Sequence, residues 1–319
     1  MSHPLRRAAC ALAASALLAA APRAAAQQEF VYRGLCDASA AVALGPDRFI
    51  VADDERNTLK IYRRGVADPV DAVDAWEFLA TKKDKESDLE GAAAIGQRIY
   101  WISSHGRNKK GEAQQRRHRF FATDMGDGEG HPRLTGRAYA GLQEDMIAAA
   151  ELRPLGLAAA AGLGPEQPGG FNIEGLAATP QGQLLIGLRS PLLRGKALLL
   201  PLLNPDELIE GKQARFGAAF ELDLGGRGVR SVERVGSSYL IVAGPAANAG
   251  AFALYRWSGR RGDAAVALPR ADFKTLRPEA IFAVPGTDTM QVLSDDGNDA
   301  CQALPEARQT FRSIIIGPL

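Results

Sequence analysis

Beyond its first residues, this 319-residue chain contains no apolar run near the ~18 residues that a membrane-crossing helix needs, so no later span is expected. Histidine is scarce. Past the N-terminal segment only His105, His118 and His131 remain, without metal-ligand spacing, which argues against zinc. Charge of one sign is lacking too: 38 Lys and Arg face 37 Asp and Glu, so bulk electrostatic attraction to nucleic acid is excluded. The basic run from Arg107 to Arg119 reads as a solvated loop. There is no Gly-x-Ser-x-Gly elbow, no phosphate-cradling P-loop and no cysteine in a nucleophile context. Gly126-Asp-Gly-Glu-Gly130 follows a strand but opens no helix, so it reads as a turn and not as a dinucleotide fingerprint.

What is present begins with an export signal. Arg6 and Arg7 precede an apolar run from Ala8 to Ala21, and Ala24-Ala-Ala26 offers small residues for cleavage before Gln27. Residues 1–26 are therefore expected to be a signal peptide, and the mature chain a periplasmic or secreted protein, a monomer without a membrane span. Only Cys36 and Cys301 survive that cleavage, and an oxidising compartment lets such a pair bridge. If the chain closes on itself the two become neighbours and a disulfide would lock the closure; two separate buried thiols are the alternative.

Five stretches share one phrase: a polar or acidic residue, a small-residue run, a turn, then a dense apolar strand. They start near Asp37, Glu90, Glu174, Arg230 and Glu279. A unit that cannot bury its own apolar strand stacks on neighbours, so the repetition predicts an all-β, five-bladed β-propeller over residues 27–319. A six-bladed ring is the rival. The long step after the second unit marks a helical insertion over 141–170, a candidate lid, and Glu29-Phe-Val-Tyr-Arg33 is expected to supply the strand the last unit lacks, closing the ring.

In a propeller the start of each inner strand and the end of the second share one rim. That rim is predicted to gather Asp37, Glu90, Glu174 and Glu279 with Asp54, Asp295, His105 and Arg189. Crowded carboxylates raise one another's pKa or recruit a cation, so Asp37, Asp54, Glu90, Glu174, Glu279 and Asp295 are candidate ligands of a divalent ion, calcium by their oxygen chemistry. Equally, Arg107, Arg189 and Arg230 could neutralise them as interblade ion pairs. His105 and Glu174 are the catalytic candidates, and Arg107, Asn108, Arg189 and Ser190 the candidate contacts to a small-molecule substrate. The function expected is a divalent-cation-assisted hydrolase of phosphoesters, esters or lactones at the channel mouth; a non-catalytic ligand- or ion-binding propeller is the alternative.

Leu35-Cys-Asp-Ala-Ser39, Ala52-Asp-Asp-Glu55, Asp88-Leu-Glu-Gly91, Ser104-His-Gly-Arg-Asn108, Asn172-Ile-Glu-Gly-Leu176, Gly187-Leu-Arg-Ser-Pro191 and Ser294-Asp-Asp-Gly297 carry a resemblance to an exported bacterial family of unknown function, numbered three-six-one-six. The resemblance implies a propeller-like fold and no established activity. More loosely, Glu-Gly-Leu followed by an Arg-ending strand is similar to phytase-like or esterase-like propellers.

Overall fold

The computed structural model describes residues 29–53, 55–83, 85–126, 131–247, 249–269 and 273–318. The expected signal peptide, Asp54 and most of the turn read at 126–130 lie outside the described residues. Five four-stranded antiparallel sheets form the molecule. In chain order the first strand is β1 (Glu29–Arg33). The first blade then holds β2 (Ala38–Ala43), β3 (Arg48–Asp53), β4 (Thr58–Arg63) and β5 (Asp71–Asp74). The second holds β6 (Leu89–Ile95), β7 (Arg98–Ser103), β8 (Phe120–Asp124) and β9 (Arg133–Tyr139). The third holds β10 (Asn172–Ala178), β11 (Leu184–Leu193), β12 (Lys196–Leu202) and β13 (Phe220–Leu222). The fourth holds β14 (Gly228–Val235), β15 (Ser238–Gly244), β16 (Ala253–Trp257) and β17 (Val266–Ala267). The last is built from β18 (Pro278–Ala283), β19 (Met290–Ser294), β20 (Thr310–Ile316) and β1.

The inner strands β2, β6, β10, β14 and β18 touch in a closed circuit, so the blades form a five-fold ring. Their small residues are the reason the sequence can do this. At Gly91 an added Cβ would meet Ile102 Cγ2 of its own blade at 2.8 Å and crowd Leu176 N of the next at 3.2 Å, so glycine suits this close spacing of β6 and β10 near the axis. The second strands are apolar along their length because both faces pack on neighbouring blades; Phe49, Ile50, Val51 and Ala52 are all fully buried.

β1 pairs antiparallel with β20, setting Tyr32 opposite Phe311, and the two rings stack with centroids 5.2 Å apart. Cys36 and Cys301 are joined by a disulfide that ties the entry to the first blade to the segment between β19 and β20. The expected insertion is helical: α1 (Leu142–Ala148), a 3₁₀ turn (Ala150–Leu155) and α2 (Leu157–Ala161). Leu142, Met146, Leu157 and Ala160 of this segment join the core of the second and third blades beside Tyr100, Phe120 and Ile173.

Candidate functional site

Each inner strand carries one β-bulge, and all five fall at equivalent places. The pairing skips one residue between Ala38 and Ala40, Leu89 and Gly91, Ile173 and Gly175, Val229 and Ser231, and Pro278 and Ala280. The extra residues are Ser39, Glu90, Glu174, Arg230 and Glu279. A bulge re-aims its side chain out of the sheet's regular alternation, and here all five line one funnel of about 640 Å³ at the axis. The ring read from sequence is thus present at four positions, with one shift: in the first blade the equivalent residue is Ser39, and Asp37 stands two residues earlier. That earlier position recurs as Asp88, Asn172 and Arg277, which form a second tier of the wall with Asp37.

The ring is held by ion pairs. Arg230, buried, pairs through Nε with Glu174 Oε2 at 2.7 Å and through its other arm with Glu279. Glu174 also accepts from Arg189 at 3.0 Å, and Glu279 from Ser39 Oγ at 3.4 Å. Glu90 alone in the ring has no partner among the described residues. Burial first, then the neighbouring Glu174 and Asp88 charges, push its carboxyl well above the usual range. In the upper tier Asp88 pairs with Arg117 at 3.0 Å and accepts from Ser104.

Asp37 differs from these. Burial, then the adjacent Asp295 carboxylate, raise it to about 8. Gln302 Nε2 donates to Asp37 Oδ2 at 3.2 Å. Gly297 makes the approach possible, since a Cβ there would fall on Asp37 Oδ1.

Several sequence-predicted residues are elsewhere. His105 is 1% exposed, outside the funnel wall, with Nδ1 2.8 Å from Ser103 O and its pKa lowered to about 3 by burial, then by His118. The equal 15-residue spacings of Glu90–His105 and Glu174–Arg189 mislead. From bulge to opposing strand the second blade's hairpin is one residue shorter, since Gly91 pairs with Ile102 whereas Gly175 pairs with Gly187. Ser104 is therefore the equivalent of Arg189, and a one-residue slip changes what a side chain faces. Arg107 donates to Ala161 O and Gly111 O, fixing the insertion, and Asn108 closes its own loop by accepting from Lys110 N and Glu112 N. Ser190 is buried outside the funnel wall. Of the predicted substrate contacts only Arg189 lines the funnel. The insertion sends Pro165 and Glu166 to the rim while its helices pack against the blades' flank. Asn172, Arg277, Lys109 and Arg117 line the wall unanticipated; their signal is the offset of two before each bulge, or a place in the loop after β7.

Among the described residues no three His, Cys, Asp or Glu are gathered to hold a metal ion. Glu174 and Glu279 already spend oxygens on arginine, which leaves Glu90 and the Asp37–Asp295 pair as wall carboxyls without a cation partner among the described residues.

These features define a five-bladed propeller with a carboxylate-rich axial funnel. Within it, residues 163–304 match the family described as "Protein of unknown function (DUF3616)", the family to which the sequence motifs bear a resemblance. No curated protein matches the sequence. Among solved structures it is similar to Myxococcus xanthus glutaminyl cyclase, at 12% identity and TM-score 0.45, over 91% of this chain and 97% of that one. It is similar to a putative oxidoreductase (glucose dehydrogenase) of Thermus thermophilus, at 13% identity and TM-score 0.46, over 91% and 100%. A third likeness is to the Cps50 (Swd1) β-propeller domain of Myceliophteria thermophila, at 9% identity and TM-score 0.41, over 91% and 98%.

Proposed function

We propose that the funnel is a hydrolytic site for small phosphoesters, esters or lactones, in which the Asp37–Asp295 pair handles the proton. The observation that carries this reading is the pair itself: two neighbouring carboxyls on the wall of a solvent-open funnel, one of them raised to about 8 by burial and by the other. Such a carboxyl is protonated at neutral pH and can donate to a leaving oxygen, while the Asp295 side chain beside it can accept from water. Arg189 and Arg277 stand on the same wall to steady developing negative charge.

Carboxylates outnumber cations on the wall ten to five, which repels an anionic substrate. For a phosphoester, a hard divalent cation such as calcium would supply the missing positive charge and polarise the reacting oxygen; held by Asp37 and Asp295 it would displace the Asp37 proton, so acid donation by that pair belongs to the ester and lactone substrates. The signal expected at residues 1–26 and the disulfide support action outside the cytoplasm. Ligand binding without turnover is the second reading, favoured by the Glu174–Arg230–Glu279 chain, whose groups are already paired.

The test is a panel of phosphoester, ester and lactone substrates assayed with and without chelator on the wild type and on Asp37→Asn. Turnover that falls by about 10²–10⁴ in the folded variant supports acid catalysis. A wild type inert toward every substrate sinks the hydrolase reading in favour of binding alone.

A further inference from the structure

Two polar side chains of the funnel that are not exposed, Glu90 and Asn172, have no hydrogen-bond or ion-pair partner among the described residues, and they stand on adjacent blades. Glu90 is the bulge residue of β6. Its ring neighbours are both committed, Glu174 to Arg189 and Arg230, and Ser39 to Glu279. Asn172 opens β10, two residues before Glu174, and is 6% exposed in the funnel wall. Its amide Oδ1 is shielded and has no hydrogen-bond partner among the described residues. A buried amide left unpaired is costly, and a ligand that pairs with it recovers that cost on binding.

Charge decides the kind of ligand. The wall has a twofold excess of carboxylates, and three of its five cations, Arg117, Arg189 and Arg230, are already in ion pairs with wall acids. A hard divalent ion asks for 6–8 oxygens, and the seam between the second and third blades offers few: Asp88 and Glu174 are taken by arginine. An ammonium asks for less, having three N–H donors, two for the seam and one for water.

We propose that the seam between the second and third blades seats the ammonium group of a primary-amine ligand, with the Glu90 carboxylate and the Asn172 amide oxygen accepting its N–H groups. This rests on the funnel being the substrate site and names the substrate class: an ester or phosphoester that carries an amine. The arrangement divides the funnel, with recognition at Glu90 and Asn172 and proton transfer at Asp37 and Asp295.

The test is calorimetric titration of the full chain with pentylamine, 1-pentanol, tetramethylammonium and calcium chloride, on the wild type, Glu90→Gln and Asn172→Ala. Pentylamine should bind the wild type and pentanol should not; tetramethylammonium, which has no N–H, should bind more weakly than pentylamine. Glu90→Gln should weaken the amine about tenfold or more, and Asn172→Ala severalfold, the latter serving if the former misfolds. Equal amine affinity in wild type and variants, or amine and alcohol binding alike, overturns the proposal. Calcium binding that Glu90→Gln abolishes, with no amine binding, overturns it in favour of a metal seat. Amine binding with no turnover on any ester leaves this inference standing and removes the hydrolase reading; turnover without amine binding does the reverse.

Discussion

Replacing Arg230 by Met tests whether the ring of bulge residues is held together by charge. Arg230 is 6% exposed and bridges Glu174, at 2.7 Å, to Glu279. Removing one partner of a buried ion pair costs about 3–5 kcal/mol, mainly because the other charge is stranded. Glu174 keeps Arg189 at 3.0 Å, so the stranded group is chiefly Glu279, left with Ser39 Oγ at 3.4 Å. The loss should therefore lie near the lower end, about 3 kcal/mol at pH 7.5. At ~2–4 °C per kcal/mol, the figure for domains of 150–250 residues, that is a fall in Tm of roughly 6–12 °C. A stranded carboxylate can take up a proton, so the defect should shrink toward pH 5, and adding Glu279→Gln should recover part of it at pH 7.5. Thermal unfolding followed by circular dichroism at both pH values reads all of this. A variant as stable as the wild type at pH 7.5, or equally damaged at both, would refute the argument that electrostatic pairing holds the ring.

Two further outcomes follow from the same geometry. Because the folded state holds a proton on Asp37 up to about 8 while the unfolded carboxyl loses it near its ordinary value of 3.8, stability should fall as pH rises through that window. Asp37→Asn removes the charge that must be buried, so it should unfold later than the wild type at pH 8, the gap closing toward pH 4 in a pH series of melting curves. Reducing the Cys36–Cys301 bond, whose cysteines are 265 residues apart, should cost about 5 kcal/mol in the chain-entropy account, seen as a lower denaturant midpoint with dithiothreitol. An unchanged midpoint with both thiols shown to be free would count against that account.

The blades are legible in the sequence because each second strand is apolar along its length, and that pattern survives small errors of register. Glu90, Glu174 and Glu279 are legible because each precedes a glycine or alanine at the same place in its repeat. Reading a side chain's direction needs register to one residue, and there sequence spacing fails. It puts His105 in Arg189's place because a hairpin one residue shorter leaves no mark in the repeat. It also takes Asp37 for the ring member of the first blade, since a charge stands out where Ser39 does not. Asn172 escapes notice for a related reason: its role depends on standing two residues before a bulge, and a bulge is a property of pairing between strands, invisible in either strand alone.

The pairing of β1 with β20 also makes one sheet depend on both ends of the described chain. The earliest of the described strands to be synthesised has as its only mate the latest, so four blades can assemble while Glu29–Arg33 waits with Phe30 and Tyr32 uncovered. The last sheet is complete only when the final segment supplies β20, which joins β19 to β1. A chain interrupted before β20 would thus be left with two unpaired edges, one on β1 and one on β19.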